Sequence, residues 1–339
     1  MTDLKPFITK VSEQETLSQA DASAAFDIMM SGDATPAQIG AFLMALRLRG
    51  ETIDEITGAA AAMRAKMNRI TAPENAMDIV GTGGDAHGTH NISTATAFVV
   101  AGAGVPVAKH GNRAFSSLSG SADVLSSLGI DLEAKPEQVE KSVTEAGIGF
   151  LMAPLYHSAM RHVGPSRAEM GIRTVFNILG PMCNPASVKY LLVGTYSAYW
   201  LEPMANALAA LGVKRAWVVH GSDGMDELTT TGPSQVAMLE DGSVSMSKVS
   251  PADAGLPTVT LGDLKGGTPA QNAGAIRQLL DGEKGPFRDI VLYNAGAALI
   301  VAGSAQSLSD GVAAAADAID SGAAKSALER MLGLTGKAA

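Results

Sequence analysis

From Ala76 onward the chain repeats one pattern: a short apolar run, a glycine-bearing loop, then a longer stretch with apolar residues at helical spacing. Strands alternating with helices build a mostly parallel sheet with helices on its faces, because a parallel crossover needs a connection of about helix length. The expected strands lie at residues 77–80, 105–108, 149–152, 191–193, 217–219, 236–239 and 290–293. The expected helices between them lie at 93–102, 122–128, 136–146, 201–211, 270–280, 308–319 and 323–332. Gly129, Gly147 and Gly212 stand just past helix ends, where a left-handed terminating residue is wanted.

The first 70 residues read as helices only. Thr35, Pro36 and Gln38 give an N-cap, a proline at the first helical position and a capping-box partner, ahead of Ile39, Phe42, Leu43 and Leu46 on one face; Gly50 ends the helix. Thr52 with Glu55 opens another, with Ile53, Ile56, Ala60, Met63 and Met67 as its apolar face, and residues 20–30 form a third. At 339 residues the chain has room for a larger α/β domain beside this smaller helical one. Residues 156–184 break the alternation at Gly164-Pro165 and Gly180-Pro181 and are expected to return onto the N-terminal helices, while 244–267 read as irregular and polar. A net charge of −9 offers no field for a nucleic-acid backbone. One cysteine, Cys183, allows no internal disulfide, and no apolar run reaches about 18 residues, so a cytoplasmic protein without a membrane span is expected.

Chemistry gathers at the carboxyl ends of strands in such sheets. Gly81, Gly83 and Gly84 follow the first strand and free backbone N–H groups for an anion, and Asn91, Ser93 and Thr94 open the next helix, whose positive end adds donors. The glycine spacing fits neither a dinucleotide fingerprint nor a Walker loop, so phosphate without a nucleotide motif is implied. Asp85 suits sugar hydroxyls, a metal or an Asx turn. Lys109, the turn 111–113 and Ser116, Ser117, Ser119 and Ser121 make a second donor-rich loop. Asp223, Asp226 and Glu227 cluster hard oxygens that suit Mg²⁺ bridging substrate phosphates. His87 and His90 have no third ligand at zinc spacing, and no nucleophile elbow occurs.

The ordered set GTGGD at 81–85, NISTA at 91–95, KHGNR at 109–113, SGSADVL at 119–125, GIRTVFNILGP at 171–181 and HGSDGMDE at 220–227 resembles the anthranilate phosphoribosyltransferase family. The resemblance implies the α/β fold of the nucleoside phosphorylase and class III phosphoribosyltransferase type. In it, a helical domain of residues 1–70, with a segment near 170–190 returning to it, joins an α/β domain of 75–169 and 191–339 around a cleft. It implies transfer of phosphoribosyl from 5-phosphoribosyl 1-diphosphate (PRPP) to the amine of anthranilate in tryptophan biosynthesis. It also implies two Mg²⁺ per site and a homodimer formed through the helical domain.

By motif, Gly81, Gly84, Asp85, Thr89, Asn91, Ile92, Ser93 and Thr94 would hold PRPP. Lys109, His110, Gly111, Asn112, Arg113, Ala114, Phe115, Ser116, Ser117 and Ser121 would complete that set. Gly81, Asn112 and Arg167 would bind anthranilate, and Ser93, Asp226 and Glu227 the metal, with Asp223 behind them. Lys109, Asp226 and Glu227 would stabilise the departing diphosphate. A diphosphate needs no protein nucleophile and an aromatic amine is uncharged at neutral pH, which suits a site without a triad. Pyrimidine-nucleoside phosphorylase is the alternative, because it shares the glycine and lysine-serine loops.

Overall fold

The computed structural model describes residues 3–84, 87–113 and 118–337. Seven strands form one sheet: β1 Met77–Gly81, β2 Val107–Gly111, β3 Ile148–Met152, β4 Tyr190–Gly194, β5 Arg215–Gly221, β6 Ser234–Glu240 and β7 Ser243–Val249. Their order is β3-β2-β1-β4-β5-β6-β7, parallel through β5 and antiparallel beyond it. The winding reverses at β1, with β2 on one side and β4 on the other, and such a switch point opens a crevice at the carboxyl ends of the strands. Gly81 pairs opposite Gly194, so the two strands flanking the crevice end level.

Four helices precede the sheet: α1 Lys5–Ser12, α2 Gln19–Ser31, α3 Pro36–Arg49 and α4 Ile53–Lys66. Both expected capping boxes form, at Thr35 with Gln38 and at Thr52 with Glu55. Ile56, Ala60 and Met63 are buried, but Ile53 on the first turn of α4 is exposed. Alternate strand residues then feed two cores, as the two-residue period of a strand requires. Leu191, Val193, Ala216 and Val218 pack with α1 to α4 and helix Leu201–Ala210 on one face. Ile79, Val107, Leu192 and Val219 pack on the other under α5 Ile92–Gly102 and helices Pro269–Leu280, Pro286–Val301 and Ala323–Thr335. The stretch 156–184 becomes short helical turns, with Phe176 against Phe26 at 5.5 Å between ring centroids. Arg64 of α4 ties this region down, donating to the carbonyls of Met182 (2.6 Å) and Leu211 (3.0 Å).

Three expectations change. Residues 290–293 lie inside helix Pro286–Val301 rather than in a strand; Ile290, Val291, Leu292 and Tyr293 are all buried, and a helix covered all round loses the polar stripe that marks its period. Strand β2 starts two residues later than expected and ends at Gly111 rather than Ala108, which puts Lys109 in its middle. The polar stretch after 244 holds β7, an edge strand in which only Val244 and Met246 alternate with serines at 243, 245 and 247, too short an apolar period to stand out from the polar loop that follows. No helix among the described residues is long and apolar enough to cross a membrane.

Candidate active site

Each of β1, β2, β4 and β5 ends in glycine, at 81, 111, 194 and 221. The bare ends let the loop after β5 press onto the sheet: a Cβ on Gly194 would collide with the Asp226 backbone, and one on Gly81 with the Asp226 carboxylate. Asp223 shapes that loop. Its Oδ2 accepts from Thr229 Oγ1 and Thr231 Oγ1, both at 2.7 Å, and its Oδ1 accepts from the Met225 N–H at 3.1 Å. Asp226 and Glu227 are thereby turned toward the first two motifs. Gly83 donates its N–H to Asp226 Oδ2 (2.7 Å) and Ser93 its N–H to Glu227 Oε1 (3.1 Å). The acidic pair thus holds the amides of the glycine loop and of the α5 amino terminus, the donor types that bind phosphate.

Gly83 and Gly84 have φ of 68° and 80°, a left-handed turn that aims successive N–H groups to one side. Asp85 lies outside the described residues. Thr89 is bridged to Lys265, and His90 sits against Phe287 with burial lowering its pKa. Asn91 precedes α5, Ile92 is buried, and Thr94 Oγ1 is buried with no hydrogen-bond partner among the described residues. An orphaned hydroxyl on the first turn of a helix is a donor kept for something else.

Lys109 crosses beneath the glycine loop, 2% exposed, donating to the Ile79 carbonyl at 2.6 Å and to Ser93 Oγ at 3.3 Å. Burial lowers its pKa, and the charges of Asp78, Glu227 and Asp226 oppose that shift. Asp78 is fully buried; burial raises its pKa to about 6 against Lys109 and against hydrogen bonds from Asn184 Nδ2 (2.7 Å) and the His110 N–H (3.1 Å). His110 meets His157 with 3.2 Å between Nε2 atoms.

Past Gly111, Asn112 is exposed and accepts the Arg113 N–H at 2.8 Å, while Arg113 pairs with Asp123 at 3.2 Å. Ala114, Phe115, Ser116 and Ser117 lie outside the described residues. Ser121 opens α6 Ser121–Leu128 and donates to the Asn112 carbonyl at 3.3 Å. Arg167 sits in helix Gly164–Met170, half-buried, with its guanidinium 5.0 Å from the centre of the Phe176 ring and no carboxylate partner among the described residues.

Sequence reasoning missed two contributors. The Arg173 guanidinium lies 4.2 Å over the Tyr196 ring and donates to the Gly84 carbonyl, while Arg47 of α3 donates to the Arg173 carbonyl. The GGTP stretch at 266–269 backs the glycine loop, with Gly266 donating to the Gly88 carbonyl at 3.0 Å and His90 to the Leu264 carbonyl at 3.1 Å. A glycine pair directly before a helix cap was the available signal. Among the described residues no group of three or more His, Cys, Asp or Glu is gathered as a metal site. Two carboxylates and the Ser93 hydroxyl remain as a donor set suited to a hard ion that also takes substrate oxygens and water.

Residues 73–325 match the α/β domain of a glycosyl transferase family, and residues 5–67 match that family's helical bundle domain. An anthranilate phosphoribosyltransferase of Parvibaculum lavamentivorans is 60% identical over 335 residues, 99% of this chain and 98% of the relative. That of Brucella canis is 58% identical over the same shares. The Thermus thermophilus enzyme structure superposes with a TM-score of 0.93 at 45% identity, covering 97% of this chain and 99% of that one. The Saccharomyces cerevisiae enzyme in complex with PRPP and Mg gives 0.89 at 29% identity, over 98% and 97%.

Proposed function

The chain belongs to the anthranilate phosphoribosyltransferase family of glycosyl transferases, and from that premise we infer that it transfers the phosphoribosyl group of PRPP to the amine of anthranilate. The products are N-(5-phosphoribosyl)anthranilate and diphosphate. The observation that carries this reading is the meeting of the glycine loop, the α5 amino terminus and the Asp226-Glu227 pair at one switch point.

The chemistry asked of the chain is to align two substrates and to neutralise charge as the C1–O bond opens. Gly84 of the glycine loop, the α5 turn with its Thr94 hydroxyl and Lys109 would take the phosphates of PRPP. Arg167 would grip the anthranilate carboxylate with its planar fork and leave the attacking amine free. Asn112 and the Gly81 backbone would complete that side. Asp226, Glu227 and Ser93 would hold Mg²⁺, two ions per site, with Asp223 fixing the loop behind them. When bound, Mg²⁺ supplies Lewis-acid charge to the diphosphate leaving group.

A homodimer through the helical part belongs to the same reading, supported by Leu48 (73% exposed) on α3 and by Tyr199 (62% exposed) nearby. So do the domain limits 1–70 and 75–339 with a return at 170–190, and a cytoplasmic location, which an unpaired Cys183 supports. The decisive test is loss of anthranilate fluorescence on mixing with PRPP and Mg²⁺. We expect turnover that stops when a chelator removes divalent metal and is lost in the Asp226→Asn/Glu227→Gln double variant. Phosphorolysis of uridine or thymidine without anthranilate turnover would overturn the assignment in favour of a nucleoside phosphorylase.

A further inference from the structure

We propose that Asn272 is a positioning residue for the donor site: it holds the Asn91 side chain off the first turn of α5 and so keeps the Thr94 N–H of that turn for phosphate. The proposal rests on the reading of this turn as part of the PRPP site. Asparagine is among the strongest helix N-caps. Asn91 stands at the N-cap position of α5, yet its side chain makes no capping hydrogen bond.

Its amide is engaged sideways instead. Oδ1 accepts from Asn272 Nδ2 at 2.8 Å and from Ser119 Oγ at 3.1 Å, and Nδ2 donates to the Ser119 carbonyl at 3.1 Å. Two donors on Oδ1 occupy both lone pairs of the oxygen that would otherwise cap the helix. Asn272 can enforce this because it is itself fixed. It is 1% exposed, and its Oδ1 accepts the Gly267 N–H at 2.8 Å, which leaves Nδ2 facing Asn91. Thr268 caps the helix that carries it, and a Cβ on Gly266 would strike the Thr89 backbone, so the segment lies flush against the glycine loop. A released Asn91 would gain a cap by taking the Thr94 N–H, since the Ser93 N–H is given to Glu227 and the Ile92 N–H to the His90 carbonyl at 2.9 Å.

The test compares Asn272→Asp and Asn272→Ala with the parent protein. The aspartate keeps the size and the Gly267 bond but sets an oxygen against Asn91 Oδ1; the alanine removes both bonds. We expect the KM and Kd for PRPP to rise about tenfold or more, the order expected when a charged hydrogen bond is lost, while the KM for anthranilate stays within about twofold. Because Asn91 gains its cap, the melting temperature of Asn272→Asp should be no lower than the parent's. In an Asn91→Ala background the Asn272→Asp change should add less than about a twofold effect, as coupled residues do. An equal loss on both substrates with a lowered melting temperature would mark Asn272 as scaffold and overturn the proposal. So would PRPP binding unchanged in Asn272→Asp while the parent binds PRPP normally; a parent that binds no PRPP overturns the functional reading itself.

Discussion

A charge buried in a protein must find compensation, and two cations of this site, Lys109 and Arg167, find it differently. Lys109 is surrounded by the Ile79 carbonyl and three carboxylates, so it is a fixture of the fold as well as the proposed phosphate partner. Arg167 has only the Phe176 ring beside it among the described residues, and burial lowers its pKa. A guanidinium held half-dry with no carboxylate beside it among the described residues suits the proposed contact to a ligand carboxylate. Arg167→Ala is expected to raise the KM for anthranilate about ten- to a hundredfold and to leave the KM for PRPP within about twofold. Kinetics with each substrate varied in turn will check it, and equal loss on both would refute the role. The residues of the motifs were legible because glycines, hydroxyls and carboxylates at strand ends announce phosphate chemistry. Arg173 and Asn272 were not, because their roles depend on partners 89 and 181 positions away in sequence.

At the scale of elements, legibility followed burial pattern. The capped helices α3 and α4 and the central strands carry local signals, so they were read nearly to the residue. Helix Pro286–Val301 and strand β7 carry weak ones, one being apolar on every side and the other offering only Val244 and Met246 among serines. What no local signal could convey is that the ends of β1 and β4 must be bare for the Asp226 loop to seat. Gly194→Ala should therefore cost several kcal/mol, since the added methyl meets backbone that cannot rotate away. Thermal melts and soluble yield will measure it; a variant as stable as the parent would show that the loop seats differently.

Across the whole molecule the sheet's two faces divide the chain between an N-terminal and a C-terminal core, and both end at the same crevice. Among the exposed large apolar side chains, Met44, Leu48 and Ile53 lie on α3 and α4, whose buried faces help build the first of these. Sedimentation equilibrium is expected to give twice the chain mass, and Leu48→Glu to shift it toward one; a parent at the mass of a single chain would reject the dimer. Acid stability is a second global property. Burial pushes the pKa of His110 down to about 3 and of His157 to about 4, from an ordinary 6.5. Below that ordinary value the unfolded chain gains protons that the folded one refuses, so stability is lost as pH falls from 6.5 toward 4. Asp78, raised to about 6, acts oppositely: its contribution is present at low pH and lost as pH rises through 6. Two imidazoles outweigh one carboxyl, so Tm should be lower at pH 5 than at pH 7, with a smaller drop in His157→Gln. A Tm that rises on acidification would reject this account.

The glycine strand ends also bear on how such an enzyme can change over evolutionary time. Where the wall of a site is main chain, mutation there subtracts protein and cannot tune preference, because there is no side chain to exchange. Heritable variation in what the crevice accepts then falls to side chains that reach in from outside the sheet, and Arg167 is the proposed one. In the proposed site the bare strand ends lie beside the phosphate loops, while Arg167, the proposed acceptor contact, is a replaceable side chain. A lineage can therefore explore new acceptors without relinquishing its donor.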